Sequence, residues 1–135
     1  MRHAILIAAL CAGPAAAYEP LVHKQEFTLT DFTTRGGEVI GQMRLGYETY
    51  GTLNADRDNA ILIPHFFSGN SHAAGRYAAD DAAPGYWDAI IGSGKPIDTD
   101  KWFVVSVDSP VNLAAHDPNV ITTGPASTNP DTGKP

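Results

Sequence analysis

Residues 60–64 read Ala60-Ile61-Leu62-Ile63-Pro64, and the residues directly after them read His65-Phe66-Phe67-Ser68-Gly69-Asn70. The first run is apolar at every position, and loop residues bound it on both sides. A strand that is buried on both faces has this composition, and such strands belong to parallel sheets that helices cover. The sequence therefore predicts an interior parallel strand over residues 60–64, with an exit loop that begins at His65.

A second apolar run, Trp102 to Val107, ends at Asp108. Between the two runs lie a glycine-rich loop and the segment Tyr86 to Ile91, which is bounded by Pro84-Gly85 and by Gly92-Ser93-Gly94. We expect a helix over Tyr86 to Ile91. A strand, a crossover that contains a helix and a second strand together form a right-handed βαβ unit.

A hairpin is predicted before this unit. Phe27 to Phe32 alternates as a half-buried strand does, Arg35-Gly36-Gly37-Glu38 is a turn, and Val39 to Tyr50 is the returning strand. The predicted fold class is α/β, with an antiparallel hairpin followed by the parallel βαβ unit in an incomplete sheet.

Composition limits the classes of partner. The chain has 135 residues and a mass of 14.3 kDa, which is the size of one small domain. Its formal net charge of −6 argues against nucleic acid as a partner, because no basic patch is available to displace counterions from phosphates. Its one cysteine excludes a disulfide framework and a zinc site built from several cysteines.

The first residues have the pattern of a signal peptide. Met1-Arg2-His3 is a short positive start, and Ala4 to Leu10 is an apolar run too short to span a bilayer. Pro14 breaks the run, and Ala15-Ala16-Ala17 offers small residues to a signal peptidase. We expect residues 1–17 to be the signal peptide, 18–135 the domain, and the product to be periplasmic or secreted. The alternative is a buried helix at the start of the domain.

Three motifs carry a resemblance to a known family. They are Tyr47 to Asp56 (YETYGTLNAD) with His65 to Gly75 (HFFSGNSHAAG), then Tyr86-Trp87-Asp88 with Ile91 to Asp100 (IGSGKPIDTD), and finally Thr123 to Gly133 (TGPASTNPDTG). In this order and spacing they resemble the amino-terminal part of the homoserine O-acetyltransferase family, a branch of the α/β-hydrolase superfamily.

The resemblance implies a doubly wound sheet with an antiparallel edge. It also implies a serine nucleophile on a strand-to-helix elbow, with an aspartate and then a histidine later in the chain. The family places this elbow beyond the third motif, and the sequence stops at Pro135 before reaching it. We therefore expect a truncated domain without the triad, inactive on its own.

The same resemblance assigns a role to the loop after the first apolar run. In the family this loop supplies one backbone N–H to the oxyanion hole, and by position the donor is Phe67. The further candidates for the substrate loop are His65, Ser68, Gly69 and Asn70. A buried aromatic pair that ends a strand is the alternative interpretation of His65-Phe66-Phe67, and both interpretations can hold together.

These loops allow two other interpretations. Gly69-Asn70-Ser71-His72-Ala73 approximates a G-x-S-x-G elbow with Ser71 as nucleophile, but Ala73 stands at the last position and the family puts its elbow elsewhere. A metal site would draw on loop histidines and aspartates whose spacing matches no ligand template, so no metal is expected. These residues are His65, His72, His116, Asp80, Asp81 and Asp117.

Two departures from the family bear on activity. The acetyltransferases usually carry His-Ala-Leu-Thr-Gly where this chain has His65-Phe66-Phe67-Ser68-Gly69, and a segment with glycine and cysteine where it has Val111 to Val120. Together with export, they favour an esterase or other hydrolase that acts on a small-molecule acyl ester without a cofactor. One alternative is a true homoserine O-acetyltransferase with acetyl-CoA as donor; another is a non-catalytic fragment. A homodimer of the full-length form is left open.

Overall fold

The computed structural model describes residues 21–110, 112, 114, 117–124, 127 and 133. Within them the chain forms a four-stranded sheet in the order β1-β2-β6-β3 and a two-stranded sheet, β4-β5. The strands are β1 (Gln25–Thr33), β2 (Val39–Tyr50), β3 (Ala60–Pro64), β4 (Ile91–Gly92), β5 (Ile97–Asp98) and β6 (Phe103–Val107).

The predicted hairpin is confirmed. β1 and β2 pair antiparallel, with Phe27 opposite Leu45. The turn between them is closed by Thr34, whose N–H donates to the Glu38 carbonyl at 2.8 Å, and Gly37 adopts a φ of 93°. A positive φ favours glycine because it has no Cβ, which is why the glycine pair marks this turn in the sequence.

The predicted parallel pair is also confirmed. β3 and β6 run parallel, with Ile61 opposite Val104. β6 also pairs antiparallel with β2, where Tyr47 lies opposite Val107. β6 therefore lies inside the sheet, and Val104 is fully buried. The carboxyl ends of β3 and β6 lie side by side, so their exit loops leave the sheet together.

The predicted helix over Tyr86 to Ile91 is wrong. These residues form a single turn, in which the N–H groups of Ile90 and Ile91 both donate to the Trp87 carbonyl, and Ile91 begins β4. A helix this short is unstable unless packing supports it. The N–H groups of Tyr86 and Trp87 donate to the carbonyls of His72 and Ala73, so the start of this turn is held against another loop.

The predicted burial of β3 on both faces is wrong for the described residues. Ile63 is 3% exposed, whereas Leu62, which points to the opposite face, is 66% exposed. β3 is the last strand on its side of the described sheet, and only its partner β6 covers one of its edges. No described element packs over Leu62, and this is why that face remains open.

The core lies on the Ile63 side of the sheet. The segment before β1 enters it, because Val22 is buried and its N–H donates to the Arg76 carbonyl at 2.8 Å. No helix in the described part of the chain is long and apolar enough to cross a membrane. Residues 1–17, with the predicted cleavage site after Ala17, lie outside the described residues. The buried core consists of Val22, Tyr50, Ile63, Ala73, Ala74, Ile91 and Val104.

Candidate functional site

His65 joins the two exit loops. Its Nε2 lies 3.0 Å from the backbone N of Ser109, directly after β6, and its Nδ1 lies 2.6 Å from the Phe66 carbonyl oxygen. Because a backbone N–H can only donate, we assign Nε2 as the acceptor and place the ring proton on Nδ1. His65 in this tautomer ties the exit of β3 to the exit of β6.

The residues after His65 make a tight turn. The Gly69 N–H donates to the Phe66 carbonyl at 2.8 Å, so Phe67 and Ser68 are the two central residues of a β-turn. A Cβ on Gly69 would lie 2.9 Å from the ring of Phe66, so a larger residue there would displace that ring. The Phe67 N–H has no acceptor among the described residues.

The interpretation of Phe66 and Phe67 as a buried aromatic pair is wrong. Phe67 is 86% exposed and Phe66 is 55% exposed. Within the described part of the chain, Phe66 makes one ring contact, an edge-to-face approach to Tyr86 with centroids 5.2 Å apart. The turn therefore exposes two apolar rings and a backbone N–H directly after β3.

The other substrate-loop candidates differ in their surroundings. Ser68 is exposed, and Gly69 is buried with its carbonyl 3.2 Å from the Asn112 side-chain nitrogen. The side-chain Oδ1 of Asn70 accepts from the His72 N–H at 2.8 Å, which shapes the loop that follows. The structure brings His65 to Asn70 together on one loop, and their roles toward a substrate remain predictions.

Ser71 has surroundings unlike those of a nucleophile. It is fully buried, its N–H donates to the Asp108 carboxylate at 2.6 Å, and its hydroxyl oxygen accepts from the Lys24 ammonium. A nucleophilic serine needs a neighbouring base and an approach for the substrate. Lys24 also donates to Glu48 at 2.8 Å, so its Nζ is engaged as a donor and offers Ser71 no base.

Sequence reasoning missed a buried polar network, which we name the Glu48 cluster. Glu48 is 0% exposed, and each of its two carboxylate oxygens has two partners. Oε1 accepts from the Lys24 ammonium at 2.8 Å and from the Tyr77 hydroxyl at 2.6 Å. Oε2 accepts from the Tyr50 hydroxyl at 2.6 Å and lies 3.1 Å from His72 Nδ1. With Ser71, the members of the cluster are Lys24, Glu48, Tyr50, Ser71, His72 and Tyr77.

These contacts determine which members of the cluster carry charge. Burial alone would raise the pKa of Glu48, but hydrogen bonds from His72 and Lys24, the charge of Lys24 and the Tyr50 hydroxyl outweigh it and lower that pKa. Burial, together with the hydrogen bond to Glu48 and its charge, raises the pKa values of Tyr50 and Tyr77. At neutral pH Glu48 is therefore a carboxylate, and Tyr50 and Tyr77 are neutral phenols.

The residues considered for a metal site do not converge. His65 contacts Ser109, whereas His72 contacts Glu48 and stacks on Tyr77 with ring centroids 4.2 Å apart. The Asp81 carboxylate accepts the N–H groups of Tyr77 and Ala78. Across residues 21–110 and the described positions after them, no three potential ligand side chains lie together. His116 lies outside the described residues.

A cavity lies away from this loop. It encloses about 630 Å³ and is lined by Val22, Tyr50, Ala74 and Ile91 among others, and none of its lining residues belongs to the loop 65–70. Tyr50 ends β2 opposite Val104, near the amino end of β6. The cavity therefore lies at the end of the sheet away from the exit loops, and ligands of open α/β sheets bind beyond the carboxyl ends of the strands.

We expect the free energy of unfolding to fall on both sides of a plateau between about pH 5 and pH 10. A lowered pKa of Glu48 contributes stability above the usual glutamate pKa, and acidification through the folded value removes it. Raised pKa values of Tyr50 and Tyr77 contribute stability below the usual tyrosine pKa, and alkali removes it. Urea unfolding at pH values between 3 and 11 measures the fall in the free energy of unfolding on both sides. Glu48→Gln should weaken the dependence of the free energy of unfolding on pH on the acid side, and Tyr77→Phe should weaken it on the alkaline side. Variants that show the same pH dependence as the parent would contradict the assignment.

Comparison with known proteins places these features in a wider group. The chain is 48% identical over 120 residues to the homoserine O-acetyltransferase of Geobacter sulfurreducens, a match that covers 84% of this chain and 30% of that protein. It superposes on esterase E22 with a TM-score of 0.81 and 60% identity, over 85% of this chain and 31% of that one. It superposes on homoserine O-acetyltransferase from Bacillus anthracis with a TM-score of 0.81 and 50% identity, over 86% and 31%. No protein-family profile matches the chain. The chain spans about a third of the length of these proteins.

Proposed function

The chain belongs to the homoserine O-acetyltransferase-like family of the α/β-hydrolase superfamily, and on that premise we propose that it is part of an enzyme of serine-based acyl-ester chemistry. Membership confirms the resemblance drawn from the three motifs and the predicted fold class. The observation that carries the proposal is the turn after β3, where the Phe67 N–H has no described acceptor. In this proposal the nucleophile, the acid and the base lie outside the third of the relatives' length that this chain matches.

In this proposal the Phe67 N–H stabilises the transition state. When a serine attacks an acyl ester, negative charge develops on the carbonyl oxygen, and a preorganised N–H donor meets that charge without reorientation. His65 holds the turn in place through Ser109 and is not itself a base, because its Nε2 already accepts a hydrogen bond. Phe66 and Phe67 supply apolar surface beside the acyl group.

We propose hydrolysis as the outcome of the reaction, with water resolving the acyl-enzyme. The 60% identity to esterase E22 supports it. The sequence His65-Phe66-Phe67-Ser68-Gly69 supports it as well, because it replaces the motif usual in the acetyltransferases next to the acyl site. No cofactor is required by this chemistry.

Export is part of the same proposal. Residues 1–17 carry the positive start, apolar run and small residues of a signal peptide. The first described contacts begin at Leu21 and Val22, so cleavage after Ala17 leaves them intact. A periplasmic or secreted enzyme would meet little acetyl-CoA, which favours water over homoserine as the acceptor.

The second candidate is a homoserine O-acetyltransferase that takes its acyl group from acetyl-CoA. The identities of 48% and 50% to two proteins of that name favour it. In this case the enzyme acts in the cytoplasm and residues 1–17 are not cleaved.

The experiment compares both reactions in the longer protein that contains this chain. We expect hydrolysis of p-nitrophenyl acetate to exceed acetyl-CoA-dependent acetylation of homoserine, and the cleaved protein to be recovered outside the cytoplasm. Preferential acetylation of homoserine by a cytoplasmic, uncleaved protein would establish the second candidate instead.

The 135 residues alone should hydrolyse no ester, and Ser71→Ala should make no difference to that result. Turnover that Ser71→Ala abolishes would contradict the assignment of Ser71 as a structural residue.

A further inference from the structure

We propose that Glu48 is a positioning residue, which holds the loop Ser71–Ala74 through Tyr50 and Lys24 and thereby fixes the backbone of the turn 66–69. Its effect on catalysis depends on the proposed acyl chemistry, whereas its effect on the loop does not. Glu48 is fully buried, so it is not a candidate to touch substrate.

The first step is the link through Tyr50. The Tyr50 hydroxyl donates to Glu48 Oε2, and its oxygen accepts from the N–H groups of Ala73 and Ala74, each at 3.0 Å. A phenol that donates to a carboxylate becomes a better acceptor, because hydrogen bonds in a chain polarise one another. The charge of Glu48 therefore strengthens the two bonds that hold the loop backbone.

The second step is the link through Lys24. Its ammonium is shared between Glu48 and the Ser71 hydroxyl oxygen. The Ser71 N–H is held from the other side by Asp108, whose own N–H donates to the Gly46 carbonyl at 2.8 Å. Ser71 is thus fixed between the segment before β1 and the end of β6.

The third step connects the loop to the turn. The turn 66–69 is anchored at its start by His65 and at its end by Gly69, whose carbonyl accepts from Asn112. Ser71 follows two positions later, and the His72 N–H donates back to Asn70. The segment 65–71 is therefore fixed at His65 before Phe67 and at Ser71 after it. The direction of the Phe67 N–H thus depends on the Ser71 anchor, and through Ser71 on Glu48.

Glu48→Gln tests the proposal, because it keeps the size of the side chain and removes its charge. Amide hydrogen exchange followed by NMR on the 135-residue chain gives the protection of individual N–H groups. We expect exchange at Ala73 and Ala74 to speed up at least tenfold relative to that at Val104 and Val105 in β6. A uniform change across the sheet, or no change at the loop, would overturn the proposal.

Tyr50→Phe provides a second test, because it removes the acceptor of the Ala73 and Ala74 N–H groups and leaves Lys24 paired with Glu48. It should reproduce the selective loss of protection, and the Glu48→Gln/Tyr50→Phe double variant should add little to it. Tyr77→Phe is the matched control: it removes one hydrogen bond of Glu48 without touching Ala73 or Ala74, so any loss should be spread over the chain. If Tyr77→Phe and Tyr50→Phe speed up exchange at Ala73 and Ala74 equally, the proposed link through Tyr50 is contradicted.

The longer enzyme supplies the catalytic readout. Glu48→Gln there should lower kcat about tenfold and leave KM within twofold, because a misdirected donor weakens the transition state more than the bound substrate. A raised KM with unchanged kcat would overturn the effect on catalysis. If the parent enzyme turns over neither ester nor homoserine, the proposed function fails, and the exchange experiment still decides the role of Glu48 in the loop.

Discussion

Phe67→Pro in the longer enzyme is expected to lower kcat for ester hydrolysis about 100- to 1000-fold, the usual cost of removing one oxyanion donor. Proline has no N–H, so the substitution deletes the proposed donor itself. It also suits the position: Phe67 is the first central residue of the turn closed by Gly69 and Phe66, and this is where β-turns favour proline. The loss therefore comes from the missing hydrogen bond and not from a broken turn.

Phe67→Ala is the matched comparison, because it keeps the N–H and removes the exposed ring. Any loss common to both variants belongs to the ring, and the excess loss in Phe67→Pro belongs to the donor. Circular dichroism and urea unfolding of both variants should match the parent. If Phe67→Pro and Phe67→Ala have equal kcat values, Phe67 is not the donor and the oxyanion hole is built from other N–H groups.

The strands could be predicted from the sequence because their signals are local. The glycine pair at Gly36-Gly37 gives the hairpin turn, and β2 and β3 have the bounds that their patterns indicate. The helix over Tyr86 to Ile91 failed for a reason that is not local. The segment closes one turn before Ile91 pairs with Ile97 in the two-stranded sheet, and no pattern within the segment shows that partner.

The site divides in the same way. The exit loop from His65 to Asn70 follows directly from its strand and from the family motif, so its place in the fold was predictable. The Glu48 cluster was not, because its members come from the segment before β1, from β2 and from the loop after β3. One signal was available: Glu48 lies between Gly46 and Tyr50 on the buried face of β2, and a charge at a core-facing position needs buried partners.

Gly85→Ala is expected to destabilise the 135-residue chain by at least about 3 kcal/mol, at the upper end of the cost of overpacking. A Cβ at Gly85 would lie 2.3 Å from the Ala74 nitrogen and 2.4 Å from the Ala73 carbonyl carbon. Both are backbone atoms, so no side-chain rotation relieves the clash. The two segments cannot separate cheaply either, because the Gly85 N–H donates to the Gly75 carbonyl at 2.9 Å and the Trp87 N–H to the Ala73 carbonyl at 2.7 Å.

The control for Gly85→Ala is Gly41→Ala. Gly41 is exposed in β2, nothing lies within 4 Å of a Cβ built there, and its φ lies outside the left-handed region. Alanine there should change the free energy of unfolding by less than about 1 kcal/mol, because it adds no clash and restricts the unfolded chain. Urea unfolding followed by tryptophan fluorescence compares the two variants with the parent. Because Ala73 and Ala74 are held by Tyr50 on one side and by the Gly85 segment on the other, a parent-like midpoint for Gly85→Ala would mean that this loop is not clamped as the structure has it.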